Sequence, residues 1–291
     1  MLDETSNKLW SFFDTIKDEK TLIETQGIME SKQKEVLIVD GYNTFIRCFA
    51  AIPTLNEDGM HTGGVSGFLK SVGHAIRLFN PDRVVVVFDG VGGSQKRRKI
   101  YSEYKNHRRT KVRLNRIYEE NTSLGSEEVS LKKQLQRIVI YLQYLPVYMI
   151  SLDQVEADDT IAHIALDYYK DWRVKIMSAD KDFLQLVSDR VHIWSPTKKK
   201  VYGPDEILKE YGVNSENFIY FRALDGDDND NIPGIKGCGP KTIIKAFPFL
   251  SGPRTTLDKI KDHGIENKGS LKVYDTLLDN WSDVERNYAL M

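Results

Sequence analysis

The stretch "VEADD" (155–159) places Glu156, Asp158 and Asp159 within four consecutive positions. Three carboxylates this close repel strongly if all stay ionised, and a helix N-cap needs only one. On a helix Glu156 and Asp159 share a face, while Asp158 and Asp159 point about 100° apart. Acids fanned in this way can address two cations. Further acids follow apolar runs: Asp40 after "EVLIV", Asp89 after "RVVVVF", and Asp180 with Asp182 in "SADKDF". A last group, Asp225, Asp227, Asp228 and Asp230, lies in "DGDDNDNIPG" (225–234). A set of oxygen ligands with no Cys or His beside it suits Mg2+ or Mn2+ rather than Zn2+. Two such ions ~4 Å apart clamp the attacking and leaving oxygens of a phosphodiester displacement. For any single Asp, a helix cap or a loop charge is the simpler reading. That reading fails for the set, because capping does not account for acids after three separate strands together with the 156–159 cluster.

The elements that must deliver these acids are short, apolar and rich in β-branched residues. Residues 35–40, 83–89, 146–151, 173–180 and 190–196 predict buried strands. Helical patterns at 65–79, 129–145 and 157–170 separate them; in the second, Leu131, Leu135, Ile138, Val139 and Leu142 fall on one face. This alternation predicts an α/β fold, a mostly parallel central sheet flanked by helices. Ligands bind such sheets outside the carboxyl ends of the strands, where the acids stand. From about residue 204 the strands stop, and helical segments with a Gly-rich turn take over. The expected organisation is an N-terminal extension at 1–33, an α/β core at 34–203 and a smaller helical region at 204–291.

The net charge of −1 hides an uneven distribution. Residues 96–116 carry ten Lys or Arg against one acid, Glu103, with Tyr101, Tyr104 and His107 interleaved. A solvated face is the ordinary reading of a charge run, but aromatics among cations are what a nucleic-acid groove uses. "NIPGIKGCGPKT" (231–242) sets Gly234, Gly237 and Gly239 ahead of Pro240, Lys241 and Thr242, with Pro240 opening a helix. Glycines let a backbone approach closely and turn several N–H groups toward one anion. The order is not that of a Walker loop. Beside the basic run, it reads as a sequence-independent clamp on a nucleic-acid backbone.

Together, "IVDGYN" (38–43), "VVFDG" (86–90), "YSEYKNHR" (101–108), "VEADD", "SADKDF" (178–183) and "GDDNDNIPGIKGCGPKT" (226–242) resemble, in order, the motifs of the 5′ nuclease superfamily of flap endonucleases and 5′–3′ exonucleases. The likeness is greatest to its bacteriophage and bacterial polymerase-associated members and covers most of residues 35 to 250. It implies a PIN-like core and a basic helical arch at about 91–128, through which a single-stranded 5′ end passes. It also implies a helix–three-turn–helix motif that grips downstream duplex and often holds a monovalent ion, K+. The implied reaction is hydrolysis of phosphodiesters near the 5′ ends of branched or primed DNA with two Mg2+ ions, for which Mn2+ substitutes. DNA flap and RNA primer both stay open as substrates. The family's metal ligands carry over to Asp40, Asp89, Glu156, Asp158, Asp159, Asp180, Asp182 and Asp230, with Asp227 nearby. Its catalytic Lys matches Lys105 and its upstream Arg matches Arg97, while Tyr104 is placed to stack on the terminal base. Arg108, Arg109 and Lys111 of the arch, and Gly234, Gly237, Gly239, Lys241 and Thr242 of the turn, are the expected DNA contacts. Implied partners are DNA, an RNA–DNA hybrid, and replication proteins such as a polymerase or a single-strand-binding protein. "HTGGVSGF" (61–68) resembles the segment that contacts duplex near the junction. Residues 1–33 have no counterpart in the family's minimal core, and several relatives continue through more helices beyond "VERNYALM".

Two other readings compete. A PIN-type ribonuclease shares the strand-end acids, but such domains are usually short and lack the basic arch and the Gly-rich turn. A non-catalytic fork-binding protein would leave the acids as relics, yet no member of the set is missing. Cys48 and Cys238 form neither a disulfide framework nor a zinc site and fit a reducing cytoplasm, which is the expected location. No apolar run approaches the ~20 residues needed to span a bilayer, and the start has no secretory pattern. The histidines show no ligand spacing, and Trp194 reads as core packing.

Overall fold

The computed structural model describes residues 33–106, 114–115 and 124–291. Residues 1–32, nearly all of the expected N-terminal extension, lie outside the described residues, as do Arg108, Arg109 and Lys111 of the basic segment. Lys34–Met291 forms one compact unit.

β1 (Glu35–Asp40) alternates its side chains between two apolar clusters. Val36 and Ile38 enter one, and Leu37 and Val39 the other. β2 (Arg83–Asp89) repeats the pattern, with Val85 and Val87 on the first side and Val84 and Val86 on the second. A strand covered on both faces must be apolar at every position, which is why these runs show no polar alternation. The remaining strands are β3 (Tyr148–Leu152), β4 (Arg173–Met177), β5 (Val191–Ser195) and β6 (Lys200–Tyr202), and the sheet order is β3-β2-β1-β4-β5-β6. All neighbours are parallel except β5 and β6. The chain runs outward from β1 through β2 to β3, then returns to the other side of β1 with β4. The carboxyl ends of β1 and β4 therefore flank the switch point, where departing loops diverge and leave a crevice.

α1 (Gly41–Ala51) and α2 (Gly63–Phe79) follow β1, α3 (Gln95–Ile100) and α4 (Leu124–Leu142) follow β2, and α5 (Ala157–His163) follows β3. Phe45 and Phe49 of α1, Phe68 and Val72 of α2, and Ile138 and Leu142 of α4 cover one sheet face. α5 packs on the opposite face, and its cluster continues through α6 (Pro204–Tyr211), α7 (Phe218–Asp225), α8 (Pro240–Ala246), α9 (Leu257–Glu266), α10 (Lys272–Asp279) and α11 (Trp281–Leu290). Ile161, Ile207, Phe221, Ile243, Ile260, Leu277 and Val284 join it. Trp194 packs into the other cluster, as expected.

Several elements depart from the sequence pattern. α1 goes unpredicted because its first turn holds Gly41, Asn43 and Thr44, poor helix formers. It starts there because Asp40 caps it, accepting the Asn43 N–H at 3.2 Å. The helix expected over 157–170 stops at His163 and continues as a π-helical turn, Ile164–Tyr168. The strand expected over 173–180 ends at Met177, so Asp180 sits in the loop beyond it. β6 is three residues of a Lys-rich edge. β7 (Gly226–Asp227) and β8 (Ile232–Pro233) pair in a region where no strand was expected. Elements this short show no readable period. Among the described residues, no helix is long and apolar enough to cross a membrane.

Candidate active site

The acids do converge at the carboxyl edge of the sheet. Asp40 is buried at the end of β1 and accepts the Ser178 hydroxyl at 2.8 Å as well as its cap bond. Ser178 in turn accepts the Asp180 N–H at 3.1 Å, and Asp180 accepts the Asp182 N–H at 2.9 Å. This chain of bonds fixes the β4 loop against β1. Burial holds the Asp40 carboxyl up to about 7, reinforced by repulsion from Asp180 and Asp89 and opposed by its two hydrogen bonds. Asp89, at the end of β2, accepts the Ala157 N–H at 2.9 Å. That bond satisfies an orphan donor of α5 and sets Asp158 and Asp159 in its first turn. Asp158 is pushed well up by burial and by the charges of Asp40 and Asp180. Burial raises Asp180 and lifts Asp182 to about 6, with Asp227 adding repulsion to both. Among the described residues, Asp180, Asp182 and Asp227 each offer an oxygen within 4.8 Å of the others'.

Cations from two directions meet these acids. Arg97 of α3 makes a two-pronged pair with Asp159 (2.8 and 2.9 Å) and reaches Glu156 at 3.1 Å. Its Nε donates to the Leu290 carbonyl at 2.8 Å, so the end of α11 aims the guanidinium. Lys105 Nζ lies 3.2 Å from both oxygens of Glu156 and 3.5 Å from Asp230. Lys105 adopts φ +54°, a left-handed conformation that is uncommon without glycine, and its N–H donates to the Asp230 carbonyl at 2.9 Å. Asn231 Nδ2 donates to the Glu103 carbonyl at 2.8 Å. The start of the basic segment is thus docked on the 230–231 turn.

Tyr104 corrects an expectation. It is 2% exposed, packed with Ile232 and Leu290, and its hydroxyl lies 3.0 Å from Glu156 and 2.9 Å from Asp230, placed to donate to either. A ring enclosed in this way is part of the wall that sets two acids and offers no open face to a base.

The sequence reading missed Arg222. Its side chain donates to Asp182 at 2.8 Å, Asp227 at 2.6 Å and the Gly226 carbonyl at 2.8 Å. The signal was present: one Arg within the apolar helix "FIYFRALD", just ahead of acids, must find a carboxylate to be buried. In the Gly-rich turn, a Cβ on Gly234 would stand 2.0 Å from the Asp225 carbonyl, and Gly237 has φ +89°. Close approach demands the first glycine and backbone geometry the second. Lys241 is exposed and Thr242 half-buried at the start of α8, and Gly239 is its N-cap.

Residues 35–212 match the family described as 5′–3′ exonuclease, N-terminal resolvase-like domain. The chain is 33% identical over 258 residues to a 5′–3′ exonuclease of Aquifex aeolicus, covering 88% of this chain and 76% of that one. The chain belongs to the 5′–3′ exonuclease family. This nuclease is also 32% identical to DNA polymerase I of Bacillus subtilis over 242 residues, 80% of its own length and 25% of the polymerase. Its fold matches that of bacteriophage T5 flap endonuclease, solved as a pseudo-enzyme–product complex with DNA and metal ions, at a TM-score of 0.71 and 21% identity over 88% of each chain. The acid cluster is a divalent-metal site in its chemistry. Its donors are carboxylates, and burial with mutual repulsion raises Asp40, Asp158, Asp180 and Asp182, a strain that divalent cations relieve.

Proposed function

We propose that the nuclease is structure-specific, cleaving phosphodiesters near the 5′ ends of branched or primed DNA in the cytoplasm, with RNA primers on DNA as a second substrate. The observation that carries this reading is the meeting of Arg97 and Lys105 with Glu156, Asp159 and Asp230 on the same sheet edge as Asp180, Asp182 and Asp227. Asp40, Asp89, Glu156, Asp158, Asp159, Asp180, Asp182, Asp227 and Asp230 would hold two Mg2+ ions, directly or through water, with Mn2+ as a substitute. Bound there, the ions supply a water nucleophile at neutral pH and neutralise charge on the phosphate.

The chain's own residues do the rest. Lys105 and Arg97 would exchange carboxylate for phosphate, and there they would stabilise the charge that grows in the transition state. Tyr104 keeps Glu156 and Asp230 in place while that exchange occurs. Arg108, Arg109 and Lys111 would contact the 5′ strand. Gly234, Gly237, Gly239, Lys241 and Thr242 would contact the duplex backbone, with K+ at the turn. A replicative polymerase or single-strand-binding protein is the fitting partner. Product mapping on labelled flap, nicked and RNA-primed substrates with Mg2+ tests the reading. The expected result is release of short 5′-terminal products and a 5′-phosphate on the remaining strand. Cleavage independent of a free 5′ end would refute it.

A further inference from the structure

Asn287 of α11 is fully buried. A carboxamide shut away from water must find its partners within the protein. Its Nδ2 donates to the Ala223 carbonyl at 3.0 Å and to the Pro233 carbonyl at 2.9 Å. Ala223 lies in the last turn of α7, where carbonyls lack intrahelical partners, and Pro233 ends β8. One side chain thus pins α11 to two elements. The other end of the carboxamide serves α3. Its Oδ1 accepts Arg286 Nη2 at 2.9 Å, and the Arg286 guanidinium lies 4.5 Å from the centre of the Tyr101 ring, directly after α3.

Three residues beyond Asn287, the Leu290 carbonyl accepts Arg97 Nε at 2.8 Å. That carbonyl is an orphan acceptor at a helix C-terminus, where the dipole favours a cation. With Nε held there, the remaining N–H groups of the guanidinium, all on its two Nη atoms, are left to Glu156 and Asp159. The end of α11 is the pivot of this fork, and the pivot is placed only as well as the bonds that hold α11. We propose that Asn287 is a positioning residue for Arg97, setting through α11 the carbonyl that aims the guanidinium. Its effect on rate rests on the phosphate role proposed for Arg97, whereas the aim itself does not. A misplacement of about 1 Å costs on the order of 10²-fold in rate. Asn287→Ala should therefore lower the single-turnover rate at saturating enzyme by roughly 10- to 100-fold while flap affinity in Ca2+ holds.

The test uses the full chain and two readouts. The first is the Arg97 Nε–H signal in heteronuclear NMR, assigned by its loss in Arg97→Lys. Asn287→Ala should shift this signal and speed its exchange with water. The second is a double-mutant cycle on the single-turnover rate. In an Arg97→Ala background Asn287→Ala should add almost nothing, because the group it aims is gone. Asn287→Ser, which keeps one donor, should fall between wild type and Asn287→Ala, and it carries the same test if the alanine variant does not fold. Ile260→Ala, a core truncation in α9 that takes part in none of these bonds, should lower the melting temperature and leave both readouts unchanged. Rate losses that multiply in the double variant would overturn the proposal, since Asn287 would then act on the fold at large. So would an unmoved Nε–H signal, or a rate loss in Ile260→Ala equal to that of Asn287→Ala. If the signal moves as expected but the wild-type protein cleaves nothing, the positioning stands and the nuclease reading falls.

Discussion

The two groups of acids differ in what faces them. Glu156, Asp159 and Asp230 are met by Arg97 and Lys105, which arrive on the first half of the basic run. Asp182 and Asp227 are met by Arg222, 5% exposed, on a helix anchored by Phe218, Phe221 and Leu224. The first cations keep 15–17% of their side-chain surface exposed, and on the proposed function they would be handed from carboxylate to phosphate. The second cannot leave without unpacking α7. Similar ion pairs therefore do different jobs. On the proposed function, Arg222 would be a permanent counter-charge that fixes Asp182 and Asp227, while Arg97 and Lys105 would be a reserve of positive charge for the substrate.

The largest effect belongs to a residue that touches both groups. Asp180 feels the charges of Asp230 and Asp227 and hydrogen-bonds the backbone of Asp182. Asp180→Asn should cut the single-turnover cleavage rate by at least about a thousandfold, since a metal's charge stabilisation is worth several kcal/mol. DNA affinity in Ca2+ should stay near wild type. Full activity with Mg2+ would end the metal assignment.

Next come the cations, compared directly. Lys105→Ala should lower the rate at saturating enzyme by about 10²–10³ and barely move the melting temperature. Arg222→Met should do the reverse first. It leaves Asp182 and Asp227 buried without their partner, which costs ~3–5 kcal/mol and roughly 10 °C. Calorimetry and single-turnover kinetics on both variants decide the matter. If Lys105→Ala melts as early as Arg222→Met, both are structural pairs and the distinction collapses.

How far the sequence made this legible follows the same division. The strand-end acids were readable because β1 and β2 are apolar at every interior position, and a charge that ends such a run must emerge at the sheet edge. Lys105 and Arg97 were reachable only through the family resemblance. Spacing in the basic run cannot say which of ten cations turns inward, and what selects Lys105 is its left-handed backbone and its bond to the Asp230 carbonyl. Both depend on a turn 125 residues later in the chain. Tyr104 was misread for a related reason. An aromatic among cations looks like a base platform until Ile232 and Leu290 close over it. Arg222 was legible in principle, because its helix is otherwise apolar, but its partner Asp182 lies 40 residues earlier and no local pattern pairs them.

The smallest expected effect concerns pH, and it comes from the buried carboxyls. A carboxyl whose folded-state pKa exceeds its unfolded value favours the folded chain while protonated, and that contribution fades as pH rises through the folded pKa. Asp40 moves from 3.8 to about 7 and Asp182 from 3.8 to about 6, both through burial first. The metal-free protein should therefore lose stability as pH climbs from about 4 to about 7 on account of these groups. Divalent ions bind the ionised form, so they must displace those protons at low pH and need not at pH 8. The gain in melting temperature from saturating Ca2+ should accordingly be larger at pH 8 than at pH 5.5. A hundredfold rise in the ratio of ligand to Kd adds about 2.7 kcal/mol, or roughly 5 °C for a chain of this size. Asp182→Asn should flatten this pH dependence, because it removes one of the two raised carboxyls. An Asp182→Asn protein whose calcium-induced gain keeps the full pH dependence would mean that burial of Asp182 against Arg222 does not set it.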